Sequence, residues 1–220
     1  MKPLVIFSSD DNPDYVEFAP LVTELWQNLG FDTFYAKIGS DLFPTVDNVP
    51  TSLQAQISRL YAARYLTDRV CITTDIDMLP FDRRYFQARL AKRPNEISIY
   101  SYDAHAGTRY PMCYLSAFGQ TLAQTVLASD QETWPDFVRR LHALGHGWNT
   151  DEIYVTQRIN SGKAEIVKYS RGWVQGRARN RLDRIAWDYD KNTHYIDAHC
   201  PRPYSQHKAL IDNLRSLQTL

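Results

Sequence analysis

An unbroken apolar run, PLVIF from Pro3 to Phe7, is followed at once by the polar stretch SSDDNPD. That pattern predicts a buried first strand ending in a turn. Phe18, Leu21, Val22, Leu25, Trp26 and Leu29 then recur at helical spacing, and Gly30 supplies a stop. DTFYAKIG reads as a second strand. Leu53, Ile57, Leu60, Tyr61 and Tyr65 keep the period of a second helix, and RVCITTDIDMLP follows as a third strand. Strand and helix alternate through the first eighty residues, the pattern of a parallel sheet covered by helices.

The second half is less regular. EISIYSYD, CYLSAF and AEIVKY read as strands. TWPDFVRRLHALG reads as a helix with Phe137, Leu141 and Leu144 turned inward. NTDEIYVTQRI opens another helix, capped by Asn149 or Thr150. The tail carries Leu210, Leu214 and Leu217 at helical spacing. With no repeat, low-complexity tract or linker, the expectation is one α/β domain over residues 1–220. A regular half, about 1–80, would be followed by a less regular half, about 81–220.

Candidate chemistry enters at the end of the third strand. Asp75 and Asp77 follow the apolar Val70, Cys71 and Ile72. In extended backbone, residues two apart point to one side, so the two carboxylates would share a face. Like charges so placed repel unless something positive sits between them. A hard divalent cation such as Mn²⁺ or Mg²⁺ is the usual answer, although Asp is also common in plain strand-end turns. In parallel sheets, ligands bind beyond the carboxyl ends of the strands, where both SSDDN and TTDID fall.

Composition narrows the class. The 25 basic and 25 acidic residues balance to a formal net charge of +0, which gives no reason to expect nucleic acid or an anionic membrane as partner. Three scattered cysteines suit a reducing, cytoplasmic setting rather than a disulfide framework or zinc cluster. The apolar N-terminal run is too short for a transmembrane helix and lacks the cleavage region of a signal peptide.

Two enzyme classes place D-x-D after a buried strand. In aspartyl-phosphate phosphatases the pair usually lies near the N-terminus. Here a strand–helix–strand–helix unit precedes it, as in GT-A glycosyltransferases. The sequence resembles the GT-A fold nucleotide-sugar glycosyltransferases. It is most similar to the transferase domains of large algal viruses and more distantly to the glycogenin-like enzymes. The pieces that carry the resemblance are FSSDDNPDYVEFAPLVTELWQNLGF, QISRLYAARYLTDRVCITTDIDMLP, YPMCYLSAFG, WNTDEIYVTQRI and DAHCPRPYSQH, in the expected order. In the last piece Arg202 stands where the glycogenin-like segment usually has a phosphate-contacting lysine.

The resemblance implies a mixed central sheet flanked by helices and a metal-dependent transfer of sugar. The donor would be a nucleotide-diphosphate sugar, UDP-linked, and the acceptor a carbohydrate hydroxyl, with retention of configuration. His199 would complete a metal site with Asp75 and Asp77, although a lone histidine is as often structural. Ser8, Ser9 and Asp10 suit nucleobase and ribose hydrogen bonds, and Tyr15 suits base stacking or core packing. Arg59 would reach the nucleotide side. The basic, glycine-broken segment Arg171 to Arg184 suits a loop closing over the diphosphate. Asp151 and Glu152 stand at a helix start, where the dipole alone favours acids. One of them would face the sugar as the catalytic group, with Asp103 and Asp197 next in line. Tyr102, His105, Tyr110, Trp148 and Trp173 offer aromatic surface to an acceptor. The rivals are a non-catalytic nucleotide-binding domain, a phosphatase and a sugar nucleotidyltransferase. The last normally carries a glycine-rich, basic loop where SSDDNPD is acidic.

Overall fold

The computed structural model describes residues 1–174 and 177–218. Its main sheet has six strands in the order β2-β1-β3-β6-β5-β7. These are β1 (Leu4–Ser9), β2 (Asp32–Lys37), β3 (Val70–Thr73), β5 (Glu96–Ile99), β6 (Leu115–Phe118) and β7 (Glu165–Lys168). β1 runs parallel to both β2 and β3, whereas β6 is antiparallel to β3 and β5. The sheet is therefore mixed, as expected. A second sheet, β10-β11-β4, is built from Arg181–Asp183, Asp197–His199 and Met78–Pro80. β8 (Trp173–Val174) and β9 (Arg177–Ala178) form a small hairpin.

Alternation along β1 sorts its side chains between two cores. Leu4 and Ile6 join a cluster with helices α3 (Thr51–Tyr61), α5 (Gly119–Val126), α6 (Trp134–His142) and α7 (Thr150–Ser161). Val5 and Phe7 join the opposite cluster, with α2 (Ala19–Asn28), α8 (Tyr204–Asp212) and the second sheet's Met78, Leu79, Leu182 and Ala198. Two shorter helices, α1 (Pro13–Val16) and α4 (Arg83–Ala88), complete the chain. The helix α2 buries Leu21, Val22, Leu25 and Trp26 on one side, the face its period predicts. It ends at Gly30, whose φ of +85° is the left-handed conformation that glycine adopts without strain.

Three apolar residues depart from the sequence reading. Leu144 lies beyond the end of α6 and is exposed, while Phe137 and Leu141 are fully buried. Leu210 is exposed on α8, so the tail's inward contacts come from Ile211 and Leu214. Tyr110 is buried in the core rather than offered to an acceptor. No helix among the described residues is long and apolar enough to cross a membrane.

The basic segment from Arg171 is anchored on a buried carboxylate. Arg171 donates to both oxygens of Asp197 at 2.6 and 2.8 Å, and Arg181 does the same at 3.0 and 3.1 Å. Tyr114 Oη adds a fifth hydrogen bond at 2.9 Å. Burial alone would raise the pKa of Asp197, but the two guanidinium charges hold it well below the usual carboxylate range. Asp103 accepts from the backbone N–H groups of Arg171 and Gly172 and from the Ser170 hydroxyl. Both acids are thus committed to holding this segment, which corrects their standing as reserve catalytic groups. Gln175 and Gly176, part of the expected closing loop, lie outside the described residues.

Removing the Asp197 charge leaves two arginines buried without a counter-charge. Asp197→Asn is expected to lower the unfolding free energy by about 3–5 kcal/mol, read by urea denaturation. A loss under ~1 kcal/mol would show that the arginines find other partners.

Candidate functional site

A cavity of about 380 Å³ opens beyond the carboxyl ends of β1 and β3. Ser8, Ser9 and Asp10 enter it from β1 and the following turn, and Asp75 and Asp77 from the turn after β3. Arg59 comes from α3, Asp151 and Glu152 from the start of α7, and His199 from the end of β11. Nine of the ten site residues expected from sequence line one cavity. The tenth, Arg202, lies just outside that lining, with Nε 3.6 Å from Asp77 Oδ2 and its guanidinium 4.4 Å from the centre of the Tyr15 ring.

The D-x-D backbone is a turn, closed by the Met78 N–H on the Asp75 carbonyl at 3.2 Å. β3 ends at Thr73, so the extended, same-side geometry read from the spacing does not hold. The chain reverses here because Met78–Pro80 must pair with β11. That pairing sets His199 opposite Met78, and the Cys200 N–H donates to the Asp77 carbonyl at 2.9 Å. Tertiary pairing, not strand alternation, brings Asp77 and His199 together.

The two acids consequently have different partners. Asp75 is held by Arg59, which also donates to the Thr74 carbonyl at 3.0 Å and to Asp151 Oδ2 at 2.6 Å. Burial alone would raise the pKa of Asp75, but Arg59 more than offsets this and holds it below its ordinary value. The Asp151 side chain is only 4 % exposed against 36 % for Asp75. There burial outweighs the same guanidinium, and the Asp151 pKa is raised. Arg59 is therefore a buried bridge between two carboxylates rather than a free cation for the nucleotide.

Asp77 faces three basic groups. Arg184 donates to its Oδ2 at 2.7 Å, and His199 Nε2 and Arg202 Nε lie 3.5 and 3.6 Å away. On its other side, His199 Nδ1 is 3.6 Å from Asp183 Oδ2. Burial would lower the His199 pKa, but contacts with Asp183 and Asp77 raise it to about 9. Among the described residues, no three His, Cys, Asp or Glu side chains are grouped closely enough to hold an ion. Of the expected ligands, Asp77 and His199 adjoin one another; the carboxylate suits Mn²⁺ or Mg²⁺, and the softer imidazole suits Mn²⁺ better than Mg²⁺. Asp75 is bonded to Arg59 instead, and His199 is near enough for its charge to help lower the Asp75 pKa.

Of the pair at the start of α7, Glu152 faces the open cavity. Burial, then the Asp151 charge, raise its pKa to about 7, against the opposing pull of Arg109. Arg109 Nε lies 2.8 Å from Glu152 Oε2 at an angle that makes it a charge contact rather than a hydrogen bond. His105 Nε2 is 3.6 Å from the same oxygen. Burial and Arg109 lower the His105 pKa, which favours the neutral ring. Arg184 ends the basic segment expected to meet a diphosphate, whereas nothing in the sequence singles out Arg109, since one arginine among many carries no local signal.

At the β1 end of the cavity the hydroxyls are already engaged. Ser8 Oγ donates to the Ala55 carbonyl at 2.6 Å, and Ser9 Oγ shares a hydrogen bond with Tyr35 Oη at 2.6 Å. Asp10 accepts from Thr51 Oγ1 at 2.8 Å and from the Asn12 N–H at 3.1 Å. Each of these oxygens can still accept from a ligand.

No protein-family model matches the sequence, and no curated protein matches it. Among solved structures, the fold is similar to that of a glycosyltransferase involved in the glycosylation of the major capsid of PBCV-1. The TM-score is 0.51 at 10% identity, over 96% of this chain and 100% of that one. The glycosyltransferase GlyE of Streptococcus pneumoniae TIGR4 overlaps at TM-score 0.46 and 11% identity, over 90% of this chain and 55% of that one, too loosely to carry an argument. The fold implied by the sequence resemblance is the fold observed.

The electrostatics of Glu152 can be tested directly. Its carboxyl should titrate near pH 7 in the folded protein, against about 4.3 for an exposed glutamate. Because folding raises this pKa, Glu152 costs stability as pH climbs from the unfolded value to the folded one. Glu152→Gln should remove that slope from unfolding free energies measured between pH 4.5 and 8. Arg109→Gln should push the carboxyl higher still in a ¹³C NMR titration, and a downward shift would overturn the assignment.

Proposed function

We propose that this chain transfers a glycosyl group from a nucleoside-diphosphate sugar, UDP-linked, to a carbohydrate hydroxyl. The observation that carries the proposal is the convergence of Ser8–Asp10, Asp77 with His199, and Glu152 on one cavity at the strand ends. The fold likeness supports the same reading. We assign the whole of residues 1–220 to one catalytic unit. Its cysteines Cys71, Cys113 and Cys200 are free, which supports action in the cytoplasm.

In this reading Ser9, Asp10 and Tyr15 receive the nucleoside, whose hydroxyls and N–H groups need acceptors and whose base needs an aromatic face. Asp77 and His199 would hold a divalent cation, Mn²⁺ or Mg²⁺. When bound, that ion would supply Lewis-acid compensation of charge on the leaving diphosphate. Arg202 and Arg184 add fixed positive charge on the same side. Asp75 is oriented by Arg59 to accept hydrogen bonds from donor hydroxyls with the oxygen that Arg59 leaves free. Glu152 is the group that faces the sugar, with Arg109 and His105 beside it. Retention is the stereochemical outcome that the resemblance implies. Glu152 then contributes charge and hydroxyl contacts rather than the removal of a proton.

Two measurements test the proposal. UDP and UDP-sugars should raise the melting temperature in the presence of Mn²⁺ through mass action. Asp77→Ala should weaken UDP binding at least tenfold in Mn²⁺, about 1.4 kcal/mol, and unchanged affinity would sink the metal assignment. Glu152→Gln should lower turnover tenfold or more with donor affinity within about threefold of the parent, the signature of an interaction stronger in the transition state. Anomeric ¹H NMR of the product reads the stereochemistry.

A further inference from the structure

Trp148 is exposed where the other tryptophans are not. Its relative exposure is 62%, against 0% for Trp26 and 4% for Trp134, and Trp173 and Trp187 are half-buried. Leaving a large aromatic surface in water forgoes roughly 1.5–3 kcal/mol of burial. An exposed apolar group at the wall of a concave polar site is a binding feature more often than an accident of packing.

The segment that carries Trp148 is held in shape. It lies between α6 and α7, with Gly145 at φ +70° and Gly147 at φ +59°. A Cβ at either position would meet nothing within 4 Å, so the conformation, not crowding, calls for glycine there. Thr150 Oγ1 donates to the Gly147 carbonyl at 2.7 Å, and Gln56 Nε2 donates to the Trp148 carbonyl at 3.1 Å. The indole is thus presented from a backbone fixed on both sides.

Its position along α3 says what the ring can meet. Ser52, Gln56 and Arg59 line the cavity from one face of that helix. Thr51, next to Ser52, is bonded to Asp10 at the nucleoside end, and Arg59 to Asp151 at the other. At 1.5 Å per residue, Gln56 lies about 5 Å from Arg59 along the axis. Trp148, anchored on Gln56, sits towards the Glu152 end of the cavity. Glu152, Arg109 and His105 line the same cavity, and Gln56 Oε1 has no hydrogen-bond partner. An aromatic face with charged and hydrogen-bonding groups around it matches a pyranose, which has apolar C–H faces and a rim of hydroxyls.

We propose that Trp148 is the stacking platform for a pyranose ring in this cavity, with Glu152, Arg109 and His105 placed to take its hydroxyls. The inference rests on the glycosyl-transfer reading and deepens it by naming where the sugar binds. The ring belongs to the donor or to the acceptor, and the experiment separates the two.

The parent, Trp148→Ala and Trp148→Phe are compared by calorimetry with UDP, with UDP-glucose, UDP-galactose and UDP-xylose, and with methyl pyranosides added to UDP-saturated and UDP-free protein. Melting curves confirm that the exposed substitution leaves the fold intact. Saturation-transfer NMR should show the pyranoside C–H protons against the protein in the parent and not in Trp148→Ala. UDP affinity should stay within about threefold in all three proteins. A tenfold loss confined to the UDP-sugars, restored by Phe, places the donor pyranose on the indole. A tenfold loss confined to the methyl pyranosides places the acceptor there. The inference is overturned if UDP itself weakens by the same factor, which makes Trp148 a base-stacking residue, or if no sugar term changes. Failure of the parent to bind UDP would overturn the donor reading alone, because the UDP-free pyranoside titration still reports on Trp148.

Discussion

The site depends on one buried cation. Arg59 is 5% exposed, and its guanidinium joins Asp75, in the turn after β3, to Asp151, at the start of α7. Asp151 could not tolerate its burial beside Asp75 without it, because adjacent carboxylates repel and the buried one draws no compensation from water. A buried triad of this kind adds little net stability, since desolvation of three charges consumes most of the Coulombic gain. Its effect is on geometry. It fixes three elements, α3, the D-x-D turn and α7, relative to one another. Glu152 follows Asp151 by about 100° of helix rotation. Once Asp151 is pinned inward, Glu152 has to face the open cavity.

The same constraint splits the acidic residues into two groups with different electrostatics. Asp75 and Asp151 share one cation. Asp77 has three basic neighbours, Arg184, His199 and Arg202. Glu152 has a pKa of about 7, raised first by burial and then by the Asp151 charge against the pull of Arg109. A carboxyl so poised changes charge in response to a small change in its surroundings, such as arrival of an anionic or cationic ligand. Asp151 does not share that property in a useful way. Its carboxylate is occupied by Arg59 and by the Glu152 N–H at 2.8 Å, so it serves the helix start while its neighbour faces the cavity.

Much of this was legible in the sequence because it rests on local period. The apolar runs of β1 and β3 and the 3.6-residue spacing of α2 and α3 come from burial on known faces, and they place SSDDN and TTDID at one sheet edge. What was not legible depends on pairings between distant short segments. β4 and β11 are three residues each, too short for any period to register, yet their pairing makes the D-x-D stretch a turn and carries His199 to Asp77. Arg171 and Arg181 read as part of a loop closing over a diphosphate because their shared counter-charge, Asp197, lies 26 and 16 residues away. Leu144 kept the helical spacing of Phe137 and Leu141 but falls past the last turn of α6, where the chain departs towards Gly145.

These two kinds of information meet at β11. Asp197, at its first position, is consumed in holding the basic segment, and His199, two residues on, stands between Asp77 and Asp183. Alternation turns Ala198 into the second core and leaves Asp197 and His199 on one face, so the two roles are separated by distance along the strand. A single three-residue strand therefore carries both the ion cluster that seats the basic segment and the imidazole that faces the cavity. The backbone bond from Arg184 to the His199 carbonyl, 2.9 Å long, ties that arginine to the same strand. Thus the charge around Asp77 is positioned by the strand's pairing on both edges, β4 on one and β10 on the other. The polar end of the cavity is in this sense built by the small sheet, and the large sheet supplies the Ser8–Asp10 end through β1.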